Sequence, residues 1–451
     1  MSQTNSATKV FKAHFSKAEL FALYKSTIAE GASVGRDGVR LKEFEKRLGQ
    51  EIDLILRKVK ARTYQFTSYK EKLVSKGAGK SPRQLSIPTV RDKLVLKSLA
   101  RALAEIFPAQ VAGLPHSTIK RVHEASRVRP ATDFYLRLDI QHYYPSINHK
   151  ILLKLLRRKI RNRQLIHLLT NAIQTPTGKK KSSASLNAKG VPQGLSISNI
   201  LSAIYLTDVD DLLATHGGID YFRYVDDILF AATPSEIEEL EKSVPRLLRQ
   251  KRKLECHKVG TGGKSVKVPL SEGIEYLGYR FCGNVIEVRA SSLKKMFANL
   301  MKNVTGFKYK KQSSGKSIWR LNLRITGCQL KARRIGWLFF FSQSKNLKQL
   351  KHLDAFLAKQ IAKVVQPEEI ESIKRFVKAY HEIKFNLDKT KYIPNFDELT
   401  DDEKKEHIAI LRPKKASTLD ALSPAELDDL FQESISYEVD GLEKDMMEAF
   451  S

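Results

Sequence analysis

The stretch "YFRYVDDILF", residues 221–230, sets two adjacent carboxylates between two short apolar runs. Tyr221 to Val225 and Ile228 to Phe230 are aromatic and β-branched residues suited to buried strands. The pattern predicts a strand, a turn holding Asp226 and Asp227, and a returning strand. Aspartate is also an ordinary turn residue, because its side chain bonds nearby backbone and tolerates unusual dihedrals. The pair by itself does not separate a plain turn from a site.

A second carboxylate lies upstream in "RLDIQHYYPSINH" (137–149), where Asp139 closes the predicted strand "DFYLRLDI" (133–140). If the two strands are neighbours in one sheet, three carboxylates from distant parts of the chain converge. Converging carboxylates repel, and cations hold them together. Hard oxygen donors of this kind suit Mg²⁺, which keeps several waters and also takes substrate phosphates. Two such ions about 3.5–4 Å apart can activate an attacking hydroxyl and stabilise a leaving oxygen in phosphoryl transfer.

Composition narrows the partners. The 451 residues suffice for roughly two or three domains. No apolar run approaches the ~18 residues that span a bilayer, so the expectation is a soluble chain with no membrane role. The start, "MSQTNSATKVFKAHF", lacks the apolar stretch of a signal peptide, and Cys256, Cys282 and Cys328 form neither a disulfide framework nor a zinc pattern. A reducing cytoplasm fits. The formal net charge is +30, spread unevenly: residues 394–451 hold 16 acidic and 6 basic residues, leaving 73 basic against 33 acidic before them. Such an excess is the electrostatic footprint of a nucleic-acid partner, since each neutralised phosphate releases condensed counterions. Solvated lysine faces or an acidic membrane surface also produce a basic balance.

Along the chain, "EGASVGRDGVRL" (30–41) reads as a loop and residues 63–90 as a hairpin with a Gly- and Lys-rich connection. A helix is expected over 91–106, helical sequence over 150–174, and an exposed loop in "TPTGKKKSSASLNAKG". "SISNILSAIYLTDVDDLL" (196–213) has helical apolar spacing, "PSEIEELEKSVPRLLRQ" (234–250) an N-capped helix broken near Pro245, and "EYLGYRF" (275–281) a strand. "GKS" occurs at 79–81, 263–265 and 315–317, but a phosphate-wrapping loop needs a glycine five residues before that Gly, and Val74, Lys258 and Lys310 stand there.

"GVPQGLSISNILSAIYL" followed by "YVDD" resembles motifs B and C of a reverse transcriptase, and "RLDIQHYYPSI" resembles motif A. "GRDGV" (35–39) resembles the family's N-terminal Gly-x-Asp-Gly element, "RQLSIPTVRDKLV" (83–95) its fingers, "KLECHKVG" (253–260) motif D and "EYLGYRF" motif E. The blocks stand in the family's order over about 30–345. The resemblance implies an α+β, right-hand polymerase of fingers, palm and thumb, with an antiparallel palm sheet and a mainly α-helical C-terminal region. On that frame, 1–130 is the N-terminal region and fingers, 131–283 the palm, 284–393 a basic helical thumb and extension, and 394–451 an acidic helical tail.

The resemblance also implies roles. Asp139 and Asp226 ligate two Mg²⁺ ions, with Mn²⁺ as the alternative metal; Ile140 shares the metal site, and Asp227 supports it. Arg83, with Lys72 or Lys76, reaches the incoming triphosphate. Gln193 and Gly194 sit where the templating base and new pair are checked, glycine allowing close backbone approach. Lys258 is the general acid toward departing pyrophosphate. Tyr144 is the steric gate beneath the sugar, which selects deoxynucleotides, while Tyr143 or Tyr144 packs in the core. Each basic residue is otherwise a solvated surface charge.

The implied function is RNA-dependent DNA polymerisation, with RNA template, DNA primer or product, and deoxynucleoside triphosphates as partners. A partner protein or self-association is a further expectation. Intron-encoded enzymes usually add a DNA-binding segment and a Cys-rich nuclease domain, and retron enzymes an Asn-Ala-x-x-His element; neither pattern is found. By elimination, and from "RFVKAYHEIKFNLDKTKYIPNFDEL", the chain most resembles abortive-infection and unknown-group enzymes linked to phage defence. The alternatives are template-independent or protein-primed synthesis at the same site, or a non-catalytic RNA-binding scaffold. After motif E, Trp337 and Phe339 to Phe341 read either as thumb core or as rings that stack on bases. The acidic tail reads either as a solvated helical end or as a segment that folds back on a basic groove or docks a partner.

Overall fold

The computed structural model describes residues 2–28, 33–75, 81–111, 113–178, 186–260, 263–309, 314–412 and 416–450. Two compact units divide the chain: Met1–Leu114 with Thr132–Pro269, and Pro115–Ala131 with Leu270–Ser451. These divisions differ from the boundaries expected at 130, 283 and 393, because Pro115–Ala131 leaves the first unit for the second, and 394–451 shares the second unit's core.

The first unit carries a hairpin of β1 (Lys70–Val74) and β2 (Arg83–Ile87), and a four-stranded sheet of β3 (Phe134–Asp139), β4 (Asp220–Tyr224), β5 (Asp227–Ala232) and β6 (Val266–Pro269). The sheet runs β4-β5-β3-β6, antiparallel throughout. Ile228 to Ala232 are all buried, which is why β5 takes a central position. Ile228, Leu229 and Phe230 each contribute roughly 1.5–3 kcal/mol on burial. The helices Ser198–Ala214 and Pro234–Arg252 pack beside the sheet.

Pro245 does not break the second helix, which runs unbroken from Pro234 to Arg252. Ile237, Leu240, Val244 and Leu248 bury at helical spacing on both sides of the proline, so packing of the apolar face outweighs one missing N–H. The stretch 150–174 divides into His149–Leu156 and Arg163–Gln174, each opened by an asparagine whose side chain caps a backbone N–H.

In the second unit the strand expected over 275–281 is a tight hairpin. β7 (Ile274–Tyr276) and β8 (Tyr279–Cys282) join through Leu277 and Gly278, at φ +48° and +83°, and β9 (Val285–Val288) completes a three-stranded antiparallel sheet. Two successive left-handed residues are what a two-residue hairpin demands, and the sequence supplied a glycine for only one. A further pair, β10 (Cys328–Leu330) and β11 (Arg333–Ile335), lies among helices.

Trp337, Phe339, Phe340 and Phe341 are all buried, with ring contacts such as Trp337–Phe341 at 4.6 Å and Tyr279–Phe341 at 5.1 Å. They are core, which removes the base-stacking reading.

The tail, too, departs from both readings. Its helix Pro424–Phe450 buries Leu427, Phe431, Ile435, Val439 and Leu442 against Phe396, Ile408 and Leu411. Its carboxylates meet arginines of the same unit: Glu438 with Arg320, Asp445 with Arg324 at 2.6 Å, and Glu443 with Arg333 at 2.9 Å. The acidic count had hidden an apolar stripe of helical period.

A pH prediction arises here. Trp319 Nε1–H donates to His407 Nδ1 at 2.9 Å, so that nitrogen must be unprotonated. Burial holds the His407 pKa below its ordinary 6.5. A depressed folded pKa gives stability that is present above about 6.5 and lost as pH falls through the folded value. Urea unfolding over a pH series is expected to show this acid-side loss, and His407→Gln, which can still accept the indole N–H, is expected to flatten it.

Candidate active site

The register of the sheet brings the carboxylates together. Asp139, the last residue of β3, stands directly opposite Asp227, the first of β5. The turn begins earlier than expected: Asp227 is already in the strand, and Val225 with Asp226 make the corner. Val225 takes φ +59°, a left-handed conformation that a β-branched residue adopts only under constraint, at a cost of order 1–3 kcal/mol. Two contacts hold it there. The Ile140 N–H donates to the Asp226 carbonyl at 3.3 Å, clasping the turn to the end of β3, and Arg223 Nη1 donates to the Val225 carbonyl at 2.9 Å.

Arg223 is anchored in turn by Asp210 of the Ser198–Ala214 helix, through Nε at 2.7 Å and through Nη2, while Tyr221 donates its hydroxyl to the same carboxylate at 2.6 Å. Burial disfavours the guanidinium's charge, but the Asp210 bonds prevail and its pKa is raised. Arg223→Met leaves Asp210 half-buried without its cation and releases the corner. A loss of about 3–5 kcal/mol is expected in denaturant unfolding, and Asp210→Asn in the same chain is expected to restore part of it.

The three carboxylates share one end of the sheet but do not form a cage. Asp139 Oδ2 lies 3.4 Å from His257 Nε2 and 3.7 Å from Lys264 Nζ, whereas Asp227 Oδ1 lies 3.6 Å from Arg137 Nε. Among the described residues no three His, Cys, Asp or Glu side chains group closely enough to hold an ion by themselves. The expected convergence is therefore one of backbone positions, since like charges on facing strands repel and turn to nearby cations. The donor set still fits Mg²⁺, which binds through one or two carboxylates plus substrate phosphates and not in an all-protein cage. Asp139 and Asp226, joined through Ile140 in the backbone clasp, are the residues that could hold it.

Of the other expected residues, Tyr144 and Arg83 lie within electrostatic reach of this corner. Tyr143 is buried and donates to the Ser202 carbonyl at 2.6 Å, whereas Tyr144 is half-buried and donates to Asn199 Oδ1 at 2.8 Å. Burial raises the Tyr144 pKa, with Asp226 raising and Arg83 lowering it, so carboxylate, guanidinium and ring act on one another. Gln193 accepts the Ser86 N–H at 2.7 Å, and a side chain on Gly194, at φ +93°, would meet the Ser86 carbonyl at 3.3 Å. Motif B thus abuts β2, the strand of Arg83. Lys72 lies on exposed β1 across from Leu85, and Lys76 lies outside the described residues.

Lys258 is exposed, and its neighbours take the place beside Asp139. His257 N–H donates to the Asp139 carbonyl at 2.9 Å, and Lys264 Nζ lies 3.1 Å from His257 Nε2. Burial lowers the His257 pKa, and Lys264 lowers it further against the pull of Asp139. Burial pushes the adjacent Cys256 thiol up to about 12, so it is no nucleophile. Arg137, His257 and Lys264 are the residues sequence reasoning missed. Arg137 was legible, being two residues before Asp139 on the same strand face; the other two depend on the bridge between Ile140 and Cys256.

Residues 74–281 match the family model described as reverse transcriptase (RNA-dependent DNA polymerase). Among curated proteins the chain is 24% identical to Protein YkfC of Escherichia coli (strain K12), over 54% of this chain and 75% of that protein. It is 30% identical to an uncharacterized 91 kDa protein in the cob intron of Schizosaccharomyces pombe (strain 972 / ATCC 24843), over 36% of this chain and only 21% of that protein. A solved telomerase from Candida albicans, in complex with a fragment of telomeric RNA, aligns at 12% identity over 90% of this chain and 69% of its own, with a TM-score of 0.42. No described helix is long and apolar enough to cross a membrane. Residues 74–281, a little under half of the chain, are thus similar to the reverse transcriptase domain of RNA-dependent DNA polymerases, on an α+β fold whose sheets are antiparallel.

Proposed function

We propose that the chain copies RNA into DNA by adding deoxynucleotides at the β3/β5 corner. The observation that carries this reading is the pairing of Asp139 with Asp227 beside an Asp226 carbonyl clasped by Ile140. Two Mg²⁺ ions, or Mn²⁺, would activate the primer hydroxyl and neutralise charge on the leaving pyrophosphate. Asp139 and Asp226 hold that charge in place, and Asp227, facing Arg137, steadies the strand end. Arg83, with Lys72 or Lys76, binds the triphosphate; Gln193 and Gly194 back the new base pair against β2; Tyr144 excludes a 2′-hydroxyl. Lys258 supplies the proton to pyrophosphate.

A test is dTTP incorporation by the full chain on oligo(dT) annealed to poly(rA), with Mg²⁺, against a chain carrying both Asp226→Ala and Asp227→Ala. Incorporation by the first alone is expected; none by either chain from any primer would sink the reading. Sequencing of products made with and without bound RNA separates templated synthesis from untemplated or protein-primed synthesis. The narrower role in antiphage defence is supported by the sequence after motif E. Phage plating on cells carrying the chain tests it, and unchanged plating, or protection that survives the double substitution, counts against a polymerase-based defence. A partner protein or self-association belongs to the same proposal, read by the mass of the chain purified from such cells.

A further inference from the structure

One flank of the Arg163–Gln174 helix, at Arg163, Ile166, His167 and Thr170, lines a hollow of about 510 Å³ together with Arg62, Arg157, Ile160 and Arg161. An adjoining hollow of about 350 Å³ shares Arg62 and Arg163 and adds Lys60. The local sequence offers no counter-charge: residues 149–174 hold seven Lys or Arg and no Asp or Glu, and residues 54–70 hold five and none. Arg158 takes Asp208 at 2.7 Å, but among the described residues the four arginines of the hollow make no ion pair. Guanidinium groups crowded around one concavity repel, and an anion placed among them relieves that repulsion.

The backbone reinforces the charge. Asn162 caps the helix through Leu165 N–H at 2.8 Å, and this positive helix end borders the adjoining hollow. Arg62 stands just past the Leu48–Lys60 helix at φ +60°, a position where glycine is usual. The last carbonyls of that helix are already occupied: Lys58 by Thr63 N–H, Val59 by Arg62 N–H and Lys60 by the Gln164 amide. What the hollow meets at that helix end is therefore the Arg62 guanidinium.

The lining decides the kind of ligand. Guanidinium groups pair bidentately with phosphate oxygens, and no Phe, Tyr or Trp ring lines the hollow to stack a base. Recognition is then of backbone charge and not of sequence. The other end of the same 12-residue helix leads to Pro176, whose carbonyl accepts Tyr69 N–H at 2.9 Å, and to Thr177, whose hydroxyl lies 2.7 Å from that of Ser86 in β2. The hollow's lining thus runs along this helix from Arg163 to Thr170, and the helix's far end leads to the strand of Arg83.

We propose that this hollow is a second anchoring site for the RNA strand, gripping its backbone phosphates away from the nucleotide site. The inference rests on the reading of the chain as an RNA-copying polymerase. The test uses the full chain and R157Q/R161Q/R163Q, with binding followed by fluorescence anisotropy over a KCl series. One RNA–DNA hybrid carries a long single-stranded RNA overhang, and another ends two nucleotides beyond the primer. On the long overhang the slope of log affinity against log salt is expected to shrink by about 2, at ~0.7 per lost phosphate contact. Binding and extension on the short hybrid are expected to be unchanged, and R157K/R161K/R163K to keep the full slope.

An unchanged slope on the long overhang overturns the proposal, as does an equal loss on the short hybrid. Inorganic tripolyphosphate that raises the melting temperature of the parent chain but not of the Gln variant, with the RNA slope unmoved, would also overturn it in favour of a small polyphosphate ligand. Failure of extension by the parent chain would count against the polymerase reading, while the salt slopes would still report on the hollow.

Discussion

Asp139→Asn is expected to slow nucleotide addition by at least about 10³-fold, about 4 kcal/mol of barrier, while the unfolding midpoint stays unchanged or rises slightly. The two expectations separate chemistry from fold. Asparagine keeps the shape and one oxygen but removes the charge that would hold a divalent ion. Its loss also relieves repulsion with Asp227 directly across the strands. The contacts given up, to His257 at 3.4 Å and Lys264 at 3.7 Å, are long and partly solvated, and pairs of that kind contribute little. Single-turnover primer extension and thermal melting measure the two effects. A variant that keeps more than a tenth of the parental rate would show that Asp139 is not at the reacting centre.

The second large effect concerns the sugar. Tyr144→Ala is expected to raise ribonucleotide incorporation relative to deoxynucleotide by about 10- to 10²-fold, the equivalent of relieving about 1–3 kcal/mol of steric overpacking. Its ring is half-buried, lies against the Tyr143 ring at a centroid distance of 5.6 Å, and is fixed by the hydroxyl bond to Asn199. Tyr144→Phe removes that bond and keeps the ring, so sugar discrimination should survive it. Competition of each dNTP with its rNTP on one template reads both variants. If the alanine and phenylalanine variants discriminate alike, the ring is not what excludes the 2′-hydroxyl.

Both predictions begin in local sequence and end in contacts that local sequence does not contain. "YVDD" and "RLD" announced carboxylates at strand ends because alternation and β-branching are properties of near neighbours. Tyr144, Gln193 and Gly194 were legible only through their likeness to a family, since nothing in their own spacing says that motif B touches β2. The left-handed Val225 was not legible, because a β-branched residue at a corner violates local preference and is held there by Arg223 and Asp210. Pro245 misled for the same reason in reverse: its local rule was overridden by an apolar face already committed to the core.

Sequence alone determined that this chain is basic, that its carboxylates end strands, that its helices have apolar stripes, and that its motif order resembles that of a reverse transcriptase. Only the tertiary structure decided that Asp139 faces Asp227, that His257 and Lys264 rather than Lys258 reach Asp139, and that the acidic tail completes a core. The physical reason is range. Periodicity and turn chemistry act over a few residues, whereas each of those outcomes joins side chains about 90 to well over 100 positions apart and is settled by which surfaces exclude water together.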